Sequence, residues 1–184
     1  MSPARRGQRR RARREGRAAA PGGPAPQVPT RYRMREKLLT FGNDYVIETG
    51  DGAPGFRVDG KALRVRNTVK IQDTAGRPLY TVQERVVRLK ETMVIERNGR
   101  RVAAVQKALV TPLRDRFDVR VDGGPPLHVQ GNVLDHEYTI TRNGAPVAAV
   151  SKRWFRVRDT YGVEVMPGED DAFVLAVTAA IDAI

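Results

Sequence analysis

The chain contains no cysteine and only two histidines, His128 and His136. Disulfide bonds, thiolate metal sites and a cysteine nucleophile are therefore excluded. A zinc site would need carboxylates beside a histidine, and Asp135 and Glu137 flank His136. Because neighbouring residues of a strand point to opposite faces, this cluster is poorly arranged for a metal. We expect both histidines to be polar residues of strands or loops.

Serine is rare in the chain, and the common nucleotide-binding motifs are absent from its sequence. Ser151 is the only serine beyond the first 30 residues, and it lies outside any G-x-S-x-G sequence, which argues against a serine triad. Neither a P-loop nor a G-x-G-x-x-G fingerprint occurs. We therefore expect a non-enzymatic protein without a cofactor, with a small-ligand carrier or an enzyme with an unrecognised pocket as an alternative.

Positive charge is abundant and unevenly distributed. The formal net charge is +12, and residues 1–30 contain eight arginines but only one glutamate. This segment has almost no large apolar residue, so we expect a disordered tail. No apolar stretch follows its arginines, which argues against a signal peptide. A tail of this kind attracts anionic lipid and nucleic acid, so polyanion or nucleic-acid binding through the tail is an alternative function.

Residues 31–184 form the expected folded domain, and their sequence is typical of short strands joined by tight turns. Asn98-Gly99 and Asn143-Gly144 between alternating apolar runs are strong hairpin signals. About a dozen strands at close spacing predict an antiparallel sandwich or barrel. The expected strands are 44–48, 56–58, 63–65, 69–72, 79–83, 85–89, 92–96, 102–106, 116–121, 137–141, 147–152, 154–157 and 162–165.

An internal repeat supports this interpretation. Residues 93–107 and 138–152 are identical at nine of fifteen positions, and 71–84 is a fainter copy. A hairpin alone is barely stable, so several copies must close on one another or on an apolar partner. The Ala-Ala pairs at 103–104 and 148–149 are expected to leave room for a helix inside a barrel.

The last fourteen residues supply that partner. After Asp171, only Thr178 and Asp182 are polar, and neither glycine nor proline occurs. The sequence predicts a helix that is apolar nearly all round, capped by Asp170 or Asp171 and buried on all sides. At about 21 Å it is too short to cross a bilayer. Its expected core residues are Phe173, Val174, Leu175, Val177 and Ile181.

Two segments resemble the LURP-one-related family. They are Y-R-M-R-E-K-L-L-T-F-G-N-D-Y-V-I at 32–47 and K-R-W-F-R-V-R-D-T-Y-G-V-E-V at 152–165, the latter followed by Asp170-Asp171 and the apolar helix. The resemblance implies the Tubby C-terminal fold, a closed antiparallel barrel of about twelve strands around a central hydrophobic helix. Phospholipid scramblases belong to the same superfamily, which implies binding of phosphoinositides or other anionic lipids as a theme. The chain lacks the palmitoylatable cysteines of scramblases.

Two groups of basic residues are candidates for headgroup binding, because arginine and lysine bind phosphate well. The first comprises Lys61, Arg64, Arg66, Arg85, Arg88 and Lys90, and the second comprises Lys152, Arg153, Arg156 and Arg158. Ordinary outward-facing charges are the alternative for both groups. Trp154 and Phe155 beside the second group are typical of a membrane interface if exposed, although Trp154 is also a candidate for the core.

One acidic stretch corresponds, by the resemblance, to the proposed calcium segment of scramblases. Its candidate ligands are Asp159, Glu169, Asp170 and Asp171. The simpler alternative is that Asp170 and Asp171 cap the helix and favour its positive end.

These observations predict a cytoplasmic barrel that is peripheral at the membrane and binds acidic phospholipid headgroups. The arginine, alanine and glycine bias indicates a bacterial source, which makes eukaryotic phosphoinositides questionable as the natural ligand.

Overall fold

The structure is a computed structural model that describes residues 28–35, 44–59, 68–87, 90–107, 115–155 and 157–184. The predicted tail, up to residue 27, and the predicted strand 63–65 lie outside these residues. The described residues form the strands β1 Thr30–Arg35, β2 Tyr45–Thr49, β3 Pro54–Asp59, β4 Thr68–Gln72, β5 Pro78–Val87, β6 Lys90–Arg97, β7 Arg100–Lys107, β8 Asp115–Val121, β9 Leu127–Asn132, β10 Glu137–Arg142, β11 Ala145–Ser151 and β12 Thr160–Val165, a 3-10 turn Lys152–Trp154, and the helix α1 Asp171–Asp182.

The strands form one closed antiparallel barrel, which confirms the predicted fold class. Each strand pairs with its neighbours in sequence, and β1 closes the barrel against β12 through six residue pairs, from Thr30↔Val165 to Arg35↔Thr160. The pairing of β1 with β2 is shorter among the described residues, where the partners are Tyr32↔Thr49 and Arg33↔Glu48. Of the pairings of β1 that the structure describes, the one with β12 is therefore the longer.

Some predicted elements differ from the structure. β1 and β9 are strands that the sequence patterns did not indicate, although Leu127 and Val129 of β9 do alternate inward. The predicted strands 79–83 and 85–89 fall on a single strand, β5, as far as Val87, and residues 88–89 lie outside the described part of the chain. The predicted strand 154–157 is wrong at its start, because the Ser151 hydroxyl accepts a hydrogen bond from the Arg153 amide and turns the chain into the 3-10 turn.

Four of the described hairpins share one irregularity. In β2–β3, β4–β5, β6–β7 and β10–β11 the pairing shifts directly after a fully buried isoleucine, so the second strand carries an extra residue. The four isoleucines are Ile47, Ile71, Ile95 and Ile140. Because such bulges bend and twist a strand, they favour the curvature that closure needs. The hairpin geometry shared by the sequence repeats at 71–84, 93–107 and 138–152 therefore also occurs in β2–β3.

The helix α1 occupies the interior of the barrel. The Asp170 side chain caps it by accepting a hydrogen bond from the Phe173 amide at 2.9 Å. The Thr178 hydroxyl donates to the Val174 carbonyl at 3.0 Å, which satisfies the polar group in the middle of the helix. Val174, Leu175, Val177 and Ile181 are buried, whereas Phe173 is partly buried and packs against Tyr80.

Only one alanine of each Ala-Ala pair faces the helix. Ala103 and Ala148 are buried in the core, while Ala104 and Ala149 lie on the outer face. The expectation that both alanines make room is wrong, because consecutive strand residues alternate between the faces.

The two ends of the barrel, which we call the turn rim and the exit rim, are defined by the start and the end of α1. The turn rim carries the four bulged hairpins' turns and the start of α1, and the exit rim lies at the opposite end, where α1 ends at Asp182. Among the described residues there is no helix long and apolar enough to cross a bilayer.

We expect Leu175→Asp to prevent folding, because an unpaired charge in the fully buried middle of α1 costs more than about 3 kcal/mol. The matched control is Leu134→Asp, because Leu134 is exposed. Soluble yield and circular dichroism measure the outcome. A folded Leu175→Asp variant would contradict the central position of the helix.

Candidate functional site

Three acidic residues before and within the start of α1 are held by side chains of the turn rim. The Arg142 guanidinium donates to Glu169 at 2.7 Å, and the Tyr80 hydroxyl donates to Asp170 at 2.7 Å. The Tyr32 hydroxyl donates to Asp171 at 2.6 Å. Burial raises the pKa of Asp171, the Tyr32 hydrogen bond lowers it, and the neighbouring Asp170 charge raises it. These carboxylates therefore anchor the helix in the barrel.

The calcium grouping is not brought together. Asp159 precedes β12 and Glu169, Asp170 and Asp171 follow it, so the six residues of β12 place about 20 Å between them. Within the described part of the chain, there is no cluster of three metal-ligating side chains. Helix capping is the role that the structure gives to Asp170, and Asp159 lies at the other end of β12 from the three remaining calcium candidates.

A buried polar contact holds the other end of the helix at the exit rim. His136 Nε2 donates to Asp182 Oδ1 at 2.7 Å, and the imidazole stacks on Tyr161 with 4.2 Å between ring centroids. A carboxylate at a helix C-terminus faces the negative end of the dipole, so a donor there is stabilising. Burial raises the pKa of the nearby Tyr45 phenol, and the Asp182 charge adds to the rise.

The two histidines do not form a common site. His128 lies on β9 with its Nδ1 atom 3.2 Å from Asp118 on β8, and both side chains are exposed. Ser151 donates to Glu137 at 2.8 Å, and the nearby His136 is engaged with Asp182. No serine–histidine pair with nucleophile geometry results within the described residues.

The arginine side chains on the outer face of β1 lie over aromatic rings. Arg31 lies over Trp154 with 4.9 Å from its Cζ to the ring centroid and donates to Glu164 at 2.6 Å. Arg33 lies 5.9 Å from the ring of Phe155 and pairs with Glu48. Stacked arginines of this kind gain cation–π energy and lose conformational freedom.

Trp154 and Phe155 pack on the outer face of β12, so the expectation that Trp154 lies in the core is wrong. A Cβ atom added to Gly162 would lie 2.7 Å from Trp154 Cε3 and 3.0 Å from Phe155 Cε2, which shows that both rings cover this glycine. Both aromatic residues are partly buried. They form an external wall beside β1.

A groove opens where β1 and β2 separate beyond Arg33, and we call it the seam groove. Its volume is about 360 Å³. Val46 and Val157 in its wall are 42% and 50% exposed. Arg35 lies over the ring of Tyr45 at 5.9 Å, and Arg158 is exposed with its Nε atom 3.8 Å from Asp159. The lining residues are Arg33, Met34, Arg35, Val46, Glu48, Val157, Arg158, Asp159 and Thr160.

The predicted headgroup residues are not gathered in one place. Arg85 on β5 donates to Glu96 at 2.8 Å, while Lys152 and Arg153 follow β11 on the opposite side of the barrel. Arg153 Nε lies 3.5 Å from Glu137, beside a shallow groove on β9–β11. Lys90 begins β6, and Arg158 lies in the seam groove. Lys61, Arg64, Arg66, Arg88 and Arg156 lie outside the described residues.

Arg33 and Arg35 were missed as candidates. The alternation in Y-R-M-R did contain the signal, because it places both arginines on one face of a strand. Their proximity to residues 157–159 follows only from the closure of β1 on β12.

Comparisons with known proteins agree with this architecture. A family model described as LURP-one-related matches residues 30–182. Two chains of solved structures match, and one is the X-ray structure of a protein from Arabidopsis thaliana, with a TM-score of 0.64 and 18% identity over 86% of this chain and 92% of that chain. At this identity, the likeness is one of fold. No curated protein has a matching sequence.

We expect His136→Ala to lower the free energy of unfolding by about 2–4 kcal/mol, because it removes a buried donor from a carboxylate. The matched control is His128→Ala, whose exposed pair is worth less than about 1 kcal/mol. The side chains are 10% and 7% exposed in the first pair and 58% and 59% in the second. Urea denaturation measures the free energy of unfolding of both variants. Equal losses would contradict a stabilising role of the buried hydrogen bond between His136 and Asp182.

We expect Gly162→Ala to displace Trp154 and to cost about 1–3 kcal/mol through overpacking. Acrylamide quenching of Trp154, the only tryptophan of the chain, should increase. Gly124→Ala is the control, because its added Cβ would meet Val121 Cγ1 at 3.4 Å, an ordinary contact. Unchanged quenching in Gly162→Ala would show that the indole does not cover this glycine.

Proposed function

Because the chain belongs to the LURP-one-related family, we propose that it is a non-enzymatic barrel that binds acidic phospholipid headgroups at a membrane surface, with the seam groove as the headgroup site. The resemblance to the Tubby-like superfamily supplies lipid binding as a theme. The choice of the seam groove as the headgroup site rests on the geometry of the groove alone.

The observation that carries the proposal is the combination of arginine and exposed valine in one groove. Arg35 and Arg158 present guanidinium groups to solvent, while Arg33 is paired with Glu48. Guanidinium groups bind phosphate oxygens bidentately. Val46 and Val157 offer apolar contact beside them. An anionic amphiphile matches this arrangement better than a fully polar ligand does.

The overall charge supports an anionic surface as partner. The net charge of +12 includes eight arginines in residues 1–30, and basic segments near an anionic leaflet contribute about 1 kcal/mol per residue. The tail therefore adds long-range attraction that falls with salt, and the groove adds headgroup selectivity. In this proposal the protein is peripheral at the cytoplasmic leaflet, and phosphatidylglycerol is a suitable acidic probe for a bacterial protein.

We expect the double variant Arg35→Ala and Arg158→Ala to bind acidic vesicles at least about tenfold more weakly, because two phosphate contacts are lost. Binding is measured by flotation with vesicles of phosphatidylcholine, with and without phosphatidylglycerol. The matched control is Arg100→Ala with Arg120→Ala, which removes the same charge from β7 and β8 on the opposite side of the barrel.

A third variant separates the groove from the tail. Replacing the eight tail arginines with glutamine keeps the chain length and should weaken binding while leaving the preference for acidic vesicles. If the tail variant loses all binding and the groove variant behaves like its control, the proposal fails. Polyanion binding through the tail is then the better explanation, and single-stranded DNA should compete with vesicles.

A further inference from the structure

The seam groove carries carboxylates as well as guanidinium groups. Its charged lining residues are Arg33, Arg35, Glu48, Arg158 and Asp159. Glu48 is paired with Arg33, so these two side chains neutralise each other. The charged groups that remain to meet a ligand are those of Arg35, Arg158 and Asp159. Because a carboxylate repels an anionic phosphate, the presence of Asp159 beside the arginines needs an explanation of its own.

Asp159 and Arg158 lie side by side without using up each other's hydrogen-bonding atoms. The Arg158 Nε atom is 3.8 Å from Asp159 Oδ2, which is too long for a hydrogen bond. The two side chains are 95% and 71% exposed, so this ion pair contributes little to stability. A ligand in the groove can therefore contact guanidinium donors and carboxylate acceptors at the same time.

The turn 157–160 places this pair beside β1. The Thr160 hydroxyl donates to the Val157 carbonyl at 2.8 Å and closes the turn. Thr160 is the partner of Arg35 across β1 and β12, so Arg35 lies beside the end of the turn. Asp159 has a positive φ of 58°, which aspartate and asparagine tolerate better than most residues with a side chain. The turn therefore brings the carboxylate to the same end of the groove as Arg35.

A phosphodiester with hydroxyl groups on its headgroup complements this arrangement. Its phosphate carries one negative charge, which the guanidinium groups of Arg35 and Arg158 can bind. A hydroxyl on the alcohol beyond the phosphate can donate to Asp159, and a hydrogen bond to an ionised acceptor is about twice as strong as a neutral one. A plain alkyl headgroup has no donor for this carboxylate. The acidic residue thus discriminates between headgroups that have the same charge.

We propose that the seam groove selects a phosphodiester whose headgroup carries hydroxyl groups, with Arg35 and Arg158 on the phosphate and Asp159 accepting from a hydroxyl. Phosphatidylglycerol and its soluble headgroup, glycerophosphoglycerol, share this chemistry. The lipid is the source, because Val46 and Val157 offer apolar contact beside the polar groups. This inference rests on the proposed function, since it concerns the same groove, and it makes Asp159 a specificity-determining residue.

The test compares two lipids of equal charge. Phosphatidylglycerol and phosphatidylpropanol are both monoanionic diesters, and they differ only in the hydroxyl groups of the headgroup. Because the arginine-rich tail responds to charge, it contributes equally to the binding of both, and the ratio of the two affinities reports on the groove. For the full chain, we expect vesicle flotation to show about fivefold tighter binding to phosphatidylglycerol, as one solvent-exposed hydrogen bond would give.

Two variants of Asp159 should remove this preference in steps. Asp159→Asn keeps a neutral carbonyl acceptor and tolerates the positive φ, so the ratio should fall to about twofold. Asp159→Gly also fits the positive φ but removes the acceptor, so the ratio should fall to about one. The matched control is Asp118→Asn, which removes the same charge from an exposed carboxylate of β8 on the opposite side of the barrel. Its ratio should stay at about fivefold.

The outcomes separate this inference from the proposed function. If the full chain binds both lipids equally, or if Asp159→Gly keeps the fivefold ratio, acidic headgroups are bound but the selection by hydroxyl groups is wrong. A loss of the ratio in Asp118→Asn would also overturn it, because the selection would then not depend on Asp159. If neither lipid is bound by any variant, the proposed function is wrong as well.

A further measurement identifies the source of the ligand. Glycerophosphoglycerol without vesicles should shift the amide resonance of Thr160 in the full chain only at about millimolar concentration, because the apolar contacts are missing. The shift should be lost in the double variant Arg35→Ala and Arg158→Ala. If the soluble diester binds as tightly as the vesicles do, the site belongs to a free phosphodiester and the lipid assignment is overturned.

Discussion

The burial of α1 is the constraint on which the rest of the structure depends. A helix that is apolar on every side can be stable in water only if a wall surrounds it completely. An open sheet would leave one side of Val174, Leu175 and Val177 in contact with water, so the sheet must close. The pairing of β1 with β12 provides this closure, and the four bulges bend the hairpins around the helix.

This constraint also determines where polar chemistry occurs. The helix fills the interior, and its charged residues lie at its two ends, where Tyr32, Tyr80 and His136 meet them. The contacts to Asp171 and Asp182 satisfy carboxylates that would otherwise be costly to bury. Recognition is consequently left to the rims and the outer face. The seam groove lies where β1 and β2 separate beyond Arg33.

The fold was predictable from the sequence to a large extent, because its signals are local. The repeated hairpins at 93–107 and 138–152 and the apolar run at 171–184 each identify an element within a short stretch. The seam groove was not predictable, since it joins Arg35 and Val46 to residues 157–159 through the closure of the barrel. Trp154 was misplaced for the same reason, because its support is Gly162 on a neighbouring strand.

Closure between β1 and β12 has a kinetic consequence. Thr30 and Val165 are partners across nearly the whole domain, and α1 follows them in the chain. Pairings of such high contact order form slowly, whereas the hairpins can form as soon as each is synthesised. During synthesis, the inner face of the growing sheet stays uncovered until α1 has left the ribosome. The apolar residues of that face are open to aggregation during this interval.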